Sequence, residues 1–345
     1  MVNFRQIRGK REMVARALWW SGVTALLSGL PPQDQLVVLN YHRIGNPEDD
    51  MFDPGVFSAR ADEFDAQISY LKRRVSLVTL EEAVAFVSGV EAGRSRRCRV
   101  LITFDDGYLD NYTLAYPVLR SHGAQGVFFL VTGMVGSSSV PWWDQIAFLV
   151  KTARVRRFNL RYPADLQVDL DHSGLVLSLR AILTHFKRKD NCDQMRFIRE
   201  LAEQTRGETV PSGSRRFLDW NEALEMIKGG MSFGSHTHTH PVLTQLEPEQ
   251  QRVELLRSKS ILEQRLGTKA IALAYPVGSS TAFDSTTQRL AREAGYGIAF
   301  SYFGGVNLRE RTKMYDVRRI GIDGQSWNRF RAQVAICRSV RKFWP

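Results

Sequence analysis

Three short stretches carry the residue types that do chemistry when they meet. "ITFDDGYLDN" (102–111) sets Asp105 and Asp106 side by side, after an apolar run and ahead of Gly107. "SHTHTHP" (235–241) supplies His236, His238 and His240, and "NYHRI" (40–44) supplies His42. Carboxylates and imidazoles drawn from separate segments into one mouth make a divalent-metal site with an acid or base to spare. Spacing alone leaves the choice among the three histidines open. A helical loop puts His236 and His240, at i and i+4, on one face and turns His238 away. An extended strand would align all three, and Pro241 limits how far a helix could run. His236 and His240 are taken as the pair. His122, His172 and His185 lie in polar contexts and receive no role.

Such groups need a scaffold that delivers them to one place. "QLVVLNYH", "RVLITFDD", "GVFFLVTG", "MSFGSH", "AIALAYP" and "YGIAFSY" read as buried strands. Helical patterns fall between them at Phe64, Ile68 and Leu71, and around 83–87, 221–228, 249–266 and 285–294. Strand and helix alternation implies a parallel α/β architecture, in which sites sit at the C-terminal ends of strands. The chemical residues follow the apolar runs, as that architecture requires. One region, about 151–216, is polar, basic and mixed, and reads as a partly helical insertion.

The chain has 345 residues, 43% of them hydrophobic, which suits a soluble globular enzyme. Its cysteines, Cys98, Cys192 and Cys337, form no CxxC pair and suggest neither a disulfide framework nor a thiolate metal site, so a reducing compartment is expected. The formal charge of +11 invites nucleic acid, yet no zinc-finger, RNP or helix-turn-helix signature accompanies it, and no nucleic-acid partner is expected. The basic residues instead gather at the ends. Arg5, Arg8, Lys10, Arg11 and Arg16 precede "ALWWSGVTALLSGL", an apolar stretch too short to span a bilayer, so residues 1–33 read as a basic amphipathic segment. Residues 326–345 repeat the chemistry, with Trp327, Phe330, Val334 and Cys337 at helical spacing among arginines. Both ends suit peripheral contact with anionic lipid, on the inner face of the cytoplasmic membrane. Between them, 34–325 form the main domain.

"TFDDG" followed by "HTHTH" resembles the two leading motifs of the polysaccharide deacetylases, the NodB-homology group of carbohydrate esterase family four. The likeness runs from "NYHRI" at Asn40 to "RRIGID" at Arg318. It implies a distorted (β/α) barrel that removes acetyl groups from sugars with one divalent ion, zinc by preference, with nickel, cobalt or iron as alternatives. Carried onto this chain, Asp105 becomes the general base, Asp106, His236 and His240 the metal ligands, and Thr103, Gly107 and Thr237 framing residues. Where many members carry Arg-x-Pro-Tyr, this chain reads "AYPVG" with Ala274 in the arginine's place, so support for Asp105 is sought in Arg319 or Arg318. The usual late Leu-x-His strand is absent too. "LNYH" resembles its equivalent in the poly-N-acetylglucosamine deacetylase subgroup, where strand order is circularly permuted, and this makes His42 the general acid. Trp142, Trp143, Tyr275 and Arg319 are the expected substrate contacts, with the tryptophans stacking on sugar rings. The expected function is N-deacetylation of a surface polysaccharide or a lipid-linked glycan. A silent carbohydrate-binding relative and a non-haem iron oxygenase are the alternatives.

Overall fold

The structure, a computed structural model, describes residues 34–90, 97–188, 193–211, 213–309, 311–324 and 326–339. The basic segment 1–33 and the last basic residues, 340–345, lie outside the described residues.

Nine strands form the main sheet. They are β1 (Gln35–Tyr41), β2 (Ser76–Leu77), β3 (Arg99–Phe104), β4 (Val127–Leu130), β5 (Ser232–Ser235), β6 (Ala272–Ala274), β7 (Ile298–Phe300), β8 (Asn307–Leu308) and β9 (Ile320–Gly321). Their hydrogen-bonded order is β7–β6–β5–β4–β3–β1–β8, with β2 beside the start of β3 and β9 beside the end of β1. Every pairing is parallel except β1 with β8.

A parallel sheet is covered on both faces, which explains why its strands are apolar throughout. All residues of β1, β3, β4, β6 and β7 are buried. The two-residue period then divides them. Val37, Leu39 and Tyr41 join Ile102, Phe104 and Phe128 under the helix Ala61–Arg74, which contributes Phe64, Ile68 and Leu71. Leu36 and Val38 join Leu101, Phe129, Ala274 and Phe300 on the opposite face.

The edges of this sheet are brought together by one short segment. Val317 bridges Phe300 of β7, while Ile320 and Gly321 pair with Leu39 and Asn40 of β1. Ser301 N donates to Val317 O at 2.9 Å, and Ile322 N to Asn40 O at 3.0 Å. Residues 317–322 thus join two strands distant in the pairing order and curl the sheet into a half-barrel, the distorted barrel expected. All the main strand C-termini open on the same side.

The region read as an insertion builds a second apolar core. A hairpin, Arg157–Leu160 with Leu166–Asp169, packs with helices Leu175–Phe186 and Gln194–Thr205. The helix Trp142–Lys151 supplies Trp142, Trp143, Ile146 and Val150 to that core, so its packing begins before residue 151.

The C-terminal helix, Trp327–Ser339, uses its apolar side differently from the lipid contact expected. Phe330 is wholly buried and Val334 nearly so, both in the core beside Tyr70. A stripe already covered by protein is not available to a membrane, and among Trp327, Phe330 and Val334 it is Trp327 that is substantially exposed, at 40%. No helix among the described residues is long and apolar enough to cross a membrane.

Phe330→Ala is expected to cost about 3 kcal/mol, as large-to-small changes in a filled core do. Urea unfolding monitored by circular dichroism measures it; a loss below about 1 kcal/mol would mean that the helix is not docked as described.

Candidate active site

Asp105 and Asp106 follow β3, His42 follows β1, and His236 and His240 follow β5, so the C-terminal ends of three parallel strands, with β4 between β3 and β5, deliver all five to one mouth. The adjacent carboxylates separate because the backbone turns between them. Asp106 has φ +73° and Gly107 φ +77°, a left-handed pair that costs a non-glycine residue energy. At Gly107 a Cβ would meet Leu130 Cδ2 at 2.6 Å, so a side chain there would displace Leu130 as well as strain the left-handed backbone. The histidine loop is neither helix nor strand. Thr237 (φ +65°) and His240 (φ +62°) fold it back, and Thr237 Oγ1 accepts from His240 N at 3.1 Å. The imidazoles of His236 and His240 come within 4.7 Å centroid to centroid. His238 turns away and pairs with Thr132 Oγ1 at 3.0 Å, while Glu254 accepts from the backbone N–H of His238 and of Thr239.

Asp106 Oδ1 lies 3.6 Å from His236 Nε2 and 3.5 Å from His240 Nε2. These separations are long for hydrogen bonds, and they match the spacing of about 3.4 Å between donors about 2.1 Å from one tetrahedral ion. The protonation states agree. Burial pushes the His236 imidazole down to about 4 against the opposing pull of Asp105, and burial with help from His236 holds His240 well below the usual imidazole range. Both are neutral donors near pH 7. Burial and the neighbouring Asp105 carboxylate hold Asp106 well above the usual carboxylate range, the mark of a buried anion that lacks a cation. These three side chains are therefore a set that fits a divalent metal. His236 Nδ1 donates to Ala274 O at 2.8 Å, which presents Nε2 to the ion. His240 is held instead by the Trp143 ring, 4.4 Å away.

Asp105 is treated in the opposite way. Arg319 Nη1 and Nη2 donate to its two oxygens at 2.6 and 2.9 Å, and Asn40 Nδ2 donates to Oδ2 at 3.0 Å. Burial alone would raise this carboxyl, but the Arg319 guanidinium, His236 and His42 together hold it well below the usual range. Asp105 is consequently ionised at any working pH. Its Oδ2 faces His236 Nε2 at 3.8 Å and His42 Nε2 at 3.9 Å. His42 is partly open, its side chain one-fifth exposed, and burial beside Arg319 lowers its pKa despite Asp105.

The expected substrate contacts fall elsewhere. Trp142 and Trp143 are buried in the insertion's core, and neither offers a ring face to a sugar. Trp143 Nε1 donates to Tyr108 OH, which donates to Asp144, so the pair forms a fixed wall behind His240. Tyr275 is wholly buried, stacked on Phe283 and donating to Tyr315 O, so it offers no surface to a substrate. Arg319 is buried behind Asp105 and reaches no substrate; it supports the carboxylate instead. Arg318 packs over Phe303, so of the two arginines named for that support Arg319 provides it. Asn40 was missed. A lone asparagine inside "LVVLNY" is a buried polar group that must find partners, and it bridges Arg319, Asp105 and Thr103.

The geometry defines a class of hydrolase: a half-barrel with a three-donor metal set and a separately held carboxylate. The family model for polysaccharide deacetylases matches residues 92–167 and 171–299, and the chain belongs to that family. YxkH of Bacillus subtilis, which carries the name of a polysaccharide deacetylase, is 22% identical over 273 residues, covering 79% of this chain and 68% of the relative. The poly-beta-1,6-N-acetyl-D-glucosamine N-deacetylase of Staphylococcus epidermidis is 30% identical over 117 residues, 31% of this chain and 39% of that one. Among solved structures, the Streptococcus pyogenes deacetylase PplD shares the fold with a TM-score of 0.57 at 22% identity, covering 89% of this chain and 99% of its own. IcaB from Ammonifex degensii superposes with a TM-score of 0.55 at 22% identity, over 90% and 99%.

Removing the guanidinium leaves burial unopposed at Asp105, so its pKa rises. In Arg319→Gln the acid limb of kcat/KM for deacetylation is expected to move up by more than about one pH unit. Arg319→Lys, which keeps the charge, should shift it less. An acid limb that stays in place in both variants would show that Arg319 does not set the ionisation of Asp105.

Proposed function

We propose that this polysaccharide deacetylase is a metal-dependent N-deacetylase of amino-sugar glycans, acting during surface polysaccharide assembly. The observation that carries the reading is the division of labour between the two carboxylates: Asp105 owns the cation Arg319, and Asp106 has none but shares its pocket with two neutral imidazoles. The name of the Staphylococcus epidermidis relative supports an N-acetylglucosamine polymer as the substrate class. Absence of the usual arginine, which prompted the silent-relative alternative, loses its force because Arg319, the residue just before β9, supplies the guanidinium. An iron oxygenase would have no use for an ionised carboxylate held so close to the triad.

Asp106, His236 and His240 would hold a divalent ion, zinc in our reading, which would supply Lewis acidity toward water and an acetyl carbonyl. Asp105 Oδ2, ionised and aimed into the mouth, takes the proton of the attacking water. Arg319 and Asn40 keep that oxygen oriented while its charge changes. His42 Nε2, on the other side of Asp105, delivers a proton to the leaving amine, and its partial exposure lets it reload from solvent. The sugar then leaves as a free amine and the acyl group as acetate.

The basic segment 1–33 and the charge of +11 support a further part of the proposal: a lipid-linked substrate met at the cytoplasmic membrane face. Co-sedimentation with anionic liposomes is expected for the intact chain and to be lost without residues 1–30. Equal, negligible binding by both would remove the membrane from the reading.

Acetate release from N-acetylated glycans is the direct test. Chelation is expected to abolish it and zinc, cobalt or nickel to restore it, while Asp105→Asn should lower kcat at least about 100-fold without losing the metal. Full activity in the chelated protein would overturn metal dependence, and no release from any acetylated sugar would overturn the deacetylase reading.

A further inference from the structure

The inserted helix Leu175–Phe186 takes no part in the chemistry above, yet one face of it looks onto the site. Val176, Leu179, Arg180 and Leu183, with Lys187 just beyond the helix end, are spaced to share one face. All five line an open cleft of about 680 Å³ that meets the catalytic mouth at His42 and Tyr302. The cleft is amphipathic: aliphatic along the helix, ionic between the helix and the barrel loops.

The charges in the cleft are unequally committed. Among its carboxylates, Asp53 accepts from Gly55 N at 2.7 Å, Glu63 from Arg60 N at 2.9 Å, and Asp323 from Tyr302 OH at 3.0 Å. Of its cations, Arg60 donates to Asn46 Oδ1, and Lys151 Nζ donates to the carbonyls of Asp50 and Phe52. Arg180 and Lys187 differ: among the described residues neither has a carboxylate at ion-pair distance, which Lys151 also lacks, and neither donates to a carbonyl as Lys151 does. Lys187 lies over the Trp142 ring, its ammonium 5.6 Å from the centroid. Burial draws the pKa of this ammonium down, and the carboxylates Asp53 and Asp106 oppose that shift. Two cations without ion-pair partners at the rim of a catalytic mouth, one a fork and one a point charge, form a receptor for an oxyanion.

We propose that Arg180 and Lys187 form a subsite for an oxyanion of the substrate, a phosphate or a carboxylate, held next to the amino sugar being deacetylated. The inference rests on the deacetylase reading and narrows its substrate to an anionic glycan. Val176, Leu179 and Leu183 cover the apolar side of the neighbouring unit, and the two cations set the register in which the acetamido group meets Asp105 and His42.

Matched N-acetylglucosamine oligosaccharides, one neutral, one bearing a phosphodiester and one a uronate, test this by acetate release from the metal-loaded full chain. One anionic form is expected to exceed the neutral form at least about tenfold in kcat/KM, mainly through KM, as one charged contact allows. Which form it is separates phosphate from carboxylate. Arg180→Ala and Lys187→Met should each collapse that preference, and Lys187→Arg should keep most of it. Equal turnover of neutral and anionic forms, or a preference that survives both variants, overturns the subsite while leaving the deacetylase intact. If no oligosaccharide releases acetate, titration calorimetry with inorganic pyrophosphate and with glucuronate decides separately. Binding to the parent chain that is lost in the double variant supports the subsite, and no binding of either anion overturns it.

Discussion

Two carboxylates on consecutive residues cannot both be buried as anions unless each has its own positive partner, and the centre of this protein is organised by that constraint. The partner of Asp105 is Arg319, which gives both oxygens a hydrogen bond and is itself completely buried. A buried ion pair is tolerable only when its remaining donors are satisfied, and Arg319 spends them on Asn40 Oδ1 and Ser301 O. Those acceptors belong to β1 and to the residue after β7, the strands that the segment 317–322 draws together. The ion pair and the closure of the half-barrel are therefore one structure. Asp106, with no lysine or arginine at ion-pair distance among the described residues, is left with two imidazoles made neutral by burial, and it is this deficit that defines the metal set.

Around the centre, aromatic packing performs a second task. The metal-facing His240 is walled by Trp143, which is tied through Tyr108 to Asp144 and Arg216. These groups belong to the core that the insertion shares with the helix Trp142–Lys151. The insertion thus reaches the chemistry from two directions. Its core fixes one ligand's surroundings, and its helix Leu175–Phe186 forms a wall of the approach.

Much of this is legible in the sequence. The main strands are continuous apolar runs because a parallel sheet is covered on both faces, so their positions are written locally in side-chain hydrophobicity. Asp105, Asp106, His236 and His240 could be named because strand-end motifs hold chemistry in short, contiguous words. The two tryptophans and Tyr275 were misplaced for a matching reason. An aromatic residue has the same local signature whether it lines a cleft or fills a core, and only packing tells the two apart. The C-terminal stripe of Phe330 and Val334 was ambiguous in the same sense, since a helix face that suits lipid also suits a protein core.

By itself the sequence determined which residues can do chemistry and on which kind of element each sits, because residue type and period are local properties. It determined the alternation of strand and helix, and with it the side of the sheet where the site lies. Only the tertiary structure decided the pairings across long separations: Arg319 with Asp105, 214 residues apart, and Arg319 with Asn40, 279 apart. It also decided that His236 and His240 meet through left-handed turns at Thr237 and His240, which neither the helical nor the extended period would produce. The physical reason is common to all of these. A buried charge chooses whichever opposite charge the closing sheet brings to it, and where the sheet closes is a property of the whole fold.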